Sequence, residues 1–189
     1  MRLWTVQHRA VLASLEDAGE LVGDWDRIMV RNYRACYEEV VAEMARRGLD
    51  GGGRPPVWAW AGPDTRDNRV ALAAEMLLCP ETPEEYARYV VLDLDVPDDA
   101  VLLSSYGRWN DFMEAIIMGE GSPDMDWAIG PEGLDGLQAC LTRVAAGWVL
   151  GARPLEPFRP EEEDDEDEEG GEDEEGGEDE EGGEDEEGG

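Results

Sequence analysis

The sequence predicts an α+β fold. One compact domain over residues 1–159 packs about four helices on a small mixed or antiparallel sheet, and a disordered acidic tail follows over residues 160–189. Three observations carry this. Strands and helices do not alternate in the βαβ rhythm of a doubly wound sheet. Two segments, Val57-Trp58-Ala59-Trp60-Ala61 and Tyr89 to Val96, have the apolar content and alternation of strands. The last 29 residues hold no apolar side chain that could be buried.

In chain order, Leu3 to Gln7 reads as a short strand with Trp4 and Val6 on one face and Leu3 and Thr5 on the other. Val11, Leu15 and Ala18 mark a helix stopped by Gly19. Tyr33, Cys36, Tyr37, Val40, Val41 and Met44 recur at three and four residues and define the longest helix. Arg46 and Arg47 meet its negative end, and Gly48 closes it. The loop Asp50 to Pro56 leads into the Trp58/Trp60 strand. Residues 70–78 are weakly helical. Thr82-Pro83-Glu84-Glu85 has the N-cap, first-turn proline and glutamate of a capping box, for a helix that lasts only to about Arg88.

Next, Val90, Leu92, Leu94 and Val96 share one strand face, and Tyr89, Val91, Asp93 and Asp95 the other. Val101 to Leu103 is a second apolar stretch. Ser104 and Ser105 are placed to cap a helix burying Trp109, Phe112, Met113, Ile116 and Ile117, with Gly119 at its end. Leu134, Leu137, Leu141, Val144 and Trp148 are read as a final helix, after which Pro154, Pro157 and Pro160 stop regular structure.

Charge divides unevenly. Residues 161–189 hold 21 of the chain's 48 acids and none of its 15 bases, leaving 27 acids against 15 bases, a net −12, in the domain. All 15 bases are arginine. Such a field disfavours nucleic acid and anionic membranes, so neither is expected as a direct partner. Cys36, Cys79 and Cys140 are odd in number and widely spaced, as reduced core thiols of a cytoplasmic protein are. No stretch approaches the roughly 18 apolar residues of a membrane span, and the start turns polar too soon for a signal peptide.

Glu166 to Gly189 is Glu-Asp-Glu-Glu-Gly-Gly four times over. Its charges lie within one Debye length of about 8 Å and repel, so the tail extends. It reads as a solubilising end, with a tether for a basic protein partner, a nucleic-acid mimic or a weak divalent-cation sponge as the alternatives.

The chemistry is sparse. There is no GxSxG, P-loop or GxGxxG motif, and the single histidine, His8, leaves no multi-histidine metal site. No cofactor is evident and no metal site is expected. Asp93 and Asp95 have the spacing of an acid/base pair, a spacing that the solvent face of a strand also produces. Trp58 and Trp60 share a strand face just before Pro63-Asp64-Thr65-Arg66, so two indoles near an arginine are placed to line a pocket for a planar ligand. Packing in the core is the plainer alternative.

Met1-Arg2-Leu3-Trp4-Thr5-Val6-Gln7, Pro56-Val57-Trp58-Ala59-Trp60, Pro63-Asp64-Thr65-Arg66 and Val91-Leu92-Asp93-Leu94-Asp95-Val96-Pro97-Asp98, through Val101 to Ser104 and Trp109, resemble the bacterial and phage family DUF3841, a domain of unknown function. The likeness covers roughly residues 1–150 and implies no activity. Where family members run from a Trp-centred segment into Ile-Phe-Asp, this chain has Gly147-Trp148-Val149-Leu150. The layout is also similar to the start of the ADP-ribosyltransferase fold. That likeness implies a place for NAD, with Thr5 standing where those enzymes carry His or Arg. Their catalytic glutamate has no clear counterpart, since Glu114 and Glu132 both fall in predicted helices.

The expectation is therefore a binding or regulatory protein, with an NAD-handling enzyme as the alternative. The candidate ligand-binding residues are Trp4, Thr5, Trp58, Trp60, Asp64 and Arg66.

Overall fold

A computed structural model of the chain describes residues 1–28, 31–61, 67–119, 124–129 and 137–157. Met1–Arg159 forms one compact unit. Its elements in order are β1 (Arg2–His8), α1 (Val11–Ala18), β2 (Glu20–Val22), α2 (Arg31–Arg46), β3 (Val57–Ala61), α3 (Asp67–Leu78), α4 (Pro83–Tyr86), β4 (Tyr89–Asp95), β5 (Val101–Ser105), α5 (Tyr106–Met118), β6 (Leu137–Leu141), β7 (Arg143–Ala145) and β8 (Val149–Pro154). Six strands form one sheet in the order β5-β6-β3-β1-β4-β8, every pair antiparallel, and β2 and β7 form a separate two-stranded ribbon.

The local signals act as their chemistry requires. Gly19 ends α1 at φ 74°, donating its N–H to the Leu15 carbonyl, and Gly119 ends α5 in the same left-handed conformation. At α4 the capping box is complete: Thr82 accepts from the Glu85 N–H, and the Glu85 carboxylate accepts from the Thr82 N–H. Ser105 occupies the N-cap of α5 but its side chain makes no capping bond.

Both faces of the sheet are covered. On one face Leu3, Val57, Ala59, Leu92, Leu94, Ala139 and Leu141 pack under Val11 and Leu15 of α1 and Val144 of the ribbon. On the other, Leu102 and Cys140 meet Cys36, Val40 and Met44 of α2 and Trp109 and Phe112 of α5. Trp4 and Val91 meet Val70 and Ala74 of α3 and Tyr86 of α4. The two faces of β4 thus segregate as the alternation predicts, but the Val91 side is also sealed.

Ile117, expected on the buried face of α5, is 40 % exposed at the end of that helix, and Cys79 is exposed, unlike the core thiols Cys36 and Cys140. One larger expectation also fails. The final helix does not exist over its described positions: Leu137, Leu141, Val144 and Trp148 fall on β6, on β7 and on a 3-10 turn, and regular structure continues through β8 to Pro154. β6 lies between β5 and β3 and is buried on both faces, so its residues read as an apolar run whose three- and four-residue spacings mimic a helix. Leu134 lies outside the described residues, as does the acidic tail. No helix among the described residues is long and apolar enough to cross a membrane.

Candidate functional site: a cleft between splayed central strands

The middle of the sheet is open where β1 and β3 part. β1 pairs with β4 along all of Arg2–His8, but with β3 only at Leu3–Ala61 and Trp4–Trp60. Continued register would set Val6 opposite Trp58 and His8 opposite Pro56. Pro56 has no N–H to donate, so the ladder cannot extend there. Where the strands part, the Thr5 hydroxyl donates to the Trp58 carbonyl at 2.6 Å and accepts from Gln7 Nε2 at 2.9 Å. A buried threonine thus takes over the carbonyl that the ladder leaves.

The opening is a cleft of about 710 Å³, within the range of small-molecule sites. β1 contributes Thr5, Gln7 and His8, α3 contributes Ala73, Ala74 and Leu77, and Trp58, Trp60 and Tyr37 form an aromatic wall. Gly23 fixes the opposite wall. A Cβ there would lie 2.0 Å from the Pro55 carbonyl oxygen, so only glycine lets the two segments touch.

The indoles are held from behind. Trp60 stacks on Trp4 with centroids 5.8 Å apart and meets Tyr106 edge-on at 5.1 Å. Trp58 packs on Trp109 at 5.0 Å and on Tyr37 at 5.7 Å. Both remain half-buried, and both residues line the cleft. Burial pushes the Tyr37 phenol above its ordinary range. The Trp58 N–H offsets this in part, although it approaches the phenol without completing a hydrogen bond.

Charge at the rim is mostly compensated. Asp24 lies 3.8 Å from Arg27, and Glu20 is 3.0 Å from Arg143. Arg54, also on the rim, has no carboxylate partner among the described residues, leaving one positive charge at the mouth of an acidic domain.

Among the sequence-predicted candidates, Thr5, Trp58 and Trp60 line the cleft, and Trp4 is buried behind Trp60. Asp64 and Arg66 lie outside the described residues. Asp93 is paired with Arg153 at 3.5 Å, and His8 Nδ1 accepts the Ala10 N–H at 3.2 Å. Glu114 is on α5, and Glu132 lies outside the described residues. No cluster of metal-binding side chains occurs among the described residues. Sequence reasoning missed Tyr37, whose helical spacing marked it as core, and Gly23 and Arg54. Pro55-Pro56 was the available signal, since a double proline at the start of a strand announces a broken ladder.

Residues 2–125 match the model of a family described as a domain of unknown function (DUF3841), a span reaching from β1 past the end of α5. No curated protein and no solved structure matches the chain.

Proposed function

The chain belongs to the DUF3841 family, and from that premise we propose that it is a binding protein whose ligand lies in the cleft between β1 and β3. The ligand is a small planar anionic molecule of the nucleotide type, with NAD the first probe. The observation that carries this is that Trp58 and Trp60 edge an open cleft instead of lying sealed in the core. Rings held from behind by Trp4, Tyr106 and Trp109 offer pre-set surfaces for a flat ligand, and Arg54 offers a charge for its phosphate. Binding is better supported than turnover, because the rim carboxylates Glu20 and Asp24 are each occupied by an arginine. Cytoplasmic residence suits three free cysteines. The tail's 21 acids would add salt-sensitive attraction for a basic protein partner.

Thermal unfolding of the full chain with millimolar NAD tests the reading. A ligand at a hundred times its Kd adds about 2.7 kcal/mol, which raises Tm by roughly 5–10 °C. Thr5→Ala and Trp58→Ala should abolish that shift. Folded variants that keep it would place the ligand elsewhere, and a chain that responds to no nucleotide would remove this ligand class.

A further inference from the structure

On the face of β3, β5 and β6 that α2 and α5 cover, three polar side-chain atoms are sealed from solvent without a hydrogen-bond partner among the described residues: Trp58 Nε1, Ser104 Oγ and Gln138 Oε1. They are neighbours in the sheet. Ser104 is paired with Gln138 across β5 and β6, and Gln138 with Trp60 across β6 and β3, which makes Trp58 the diagonal neighbour of Gln138. Paired Cβ atoms lie about 5 Å apart and diagonal ones roughly 7–8 Å, within reach of glutamine and tryptophan side chains. Ser104 is 0 % exposed and Gln138 5 %. The Ser104 hydroxyl has only the weak contact of the Cys140 thiol beside it. Trp60 packs on Trp4 and Tyr106, and Trp58 on Trp109 and Tyr37, whose phenol the Trp58 N–H approaches without completing a hydrogen bond.

Buried polar atoms without partners are rare because each loses its water and gains nothing in return. Three on adjacent strands mark a place where something else completes the bonds. The indole N–H can only donate, the amide oxygen can only accept, and the hydroxyl can do both. An anion would face the amide oxygen, and a cation would face the indole N–H, so neither fits all three.

We propose that Trp58, Ser104 and Gln138 form a buried subsite for one small neutral group that both donates and accepts hydrogen bonds. Two sources have this chemistry: an internal water molecule, and a primary carboxamide carried by a small ligand. The subsite rests on strand register and burial, independently of the nucleotide reading of the cleft, although Trp58 belongs to both.

The test is NMR of the full chain labelled with ¹⁵N at its tryptophan indoles. The Trp58 Nε1–H signal is assigned by Trp58→Phe, or by elimination with Trp60→Phe and Trp109→Phe if that variant does not fold. With water resident, this signal shows a cross-peak to a long-lived water in the free protein. With a carboxamide as the occupant, nicotinamide shifts it and nicotinic acid does not. Either result supports the subsite, and absence of both overturns it. The paired change Ser104→Ala with Gln138→Met is expected to lower Tm by roughly 3 °C or more, since it strips the occupant of two partners. A Tm equal to or above the parent's would also overturn the subsite, because removing dry unpaired groups relieves a cost.

Discussion

Gly23→Ala probes the wall of the cleft directly. The added Cβ would lie 2.0 Å from the Pro55 carbonyl oxygen, 2.8 Å from its carbon and 3.1 Å from Pro55 Cγ. A carbon and a carbonyl oxygen normally approach to about 3.3 Å, so the two segments must separate by roughly 1.3 Å. Neither yields easily. Val22, just before Gly23, is paired with Arg143 in the ribbon, and Pro55 and Pro56 are buried and lead into Val57, paired with Leu141. The obstacle is backbone, so the substitution falls toward the upper end of the range for overpacking, about 3 kcal/mol. For a domain of this size that lowers Tm by roughly 6–12 °C. Gly147→Ala is the control: a Cβ there meets nothing within 4 Å and should change stability by less than about 0.5 kcal/mol. Calorimetric unfolding of the full chain and both variants is the assay. A Gly23→Ala chain melting within a degree of the parent would show that the Gly23–Pro55 contact does not set the wall.

Two further perturbations follow from the same packing. Thr5→Val keeps the shape but strips the Trp58 carbonyl and the Gln7 amide of their partner, which should cost about 2 kcal/mol and roughly 4–8 °C in Tm; an unchanged melting curve would mean that water reaches that carbonyl. Glu43 is a largely buried carboxylate whose burial raises its pKa. Hydrogen bonds from Arg47 and Arg46 outweigh that and hold it below its ordinary 4.5. Its stabilisation is therefore full above about pH 4.5 and is lost as pH falls through the lowered folded value. Because both arginines are about half exposed, Glu43→Gln should cost only about 1 kcal/mol at pH 7. The gap between the two chains' melting temperatures should narrow as pH falls below 4.5, and a gap of constant size down the acid range would contradict the ion-pair account.

What could be read from the chain itself was whatever neighbouring residues decide. Gly19 and Gly119 stop helices because a left-handed residue satisfies the last carbonyls, and Thr82 with Glu85 starts one because each side chain answers the other's N–H. Alternation in β4, the α2 periodicity and the pairing of Trp58 with Trp60 on one face are equally local. The sequence thereby determined an α+β domain with two indoles aimed the same way. Tertiary structure alone decided what lies on each side of a segment. β6 reads as helix in the sequence because a strand buried on both faces loses the alternation that identifies it. Tyr37 packs on the core as its helical spacing indicates and also borders the cleft, which helix periodicity cannot show. The cleft depends on the β1–β3 ladder ending at Trp4–Trp60 and on Gly23 touching Pro55, relations between segments far apart in sequence that only the assembled structure brings about. Local patterns fix the conformation of each segment; a site is made where segments distant in sequence fail to pair, and that failure is a property of the register between them.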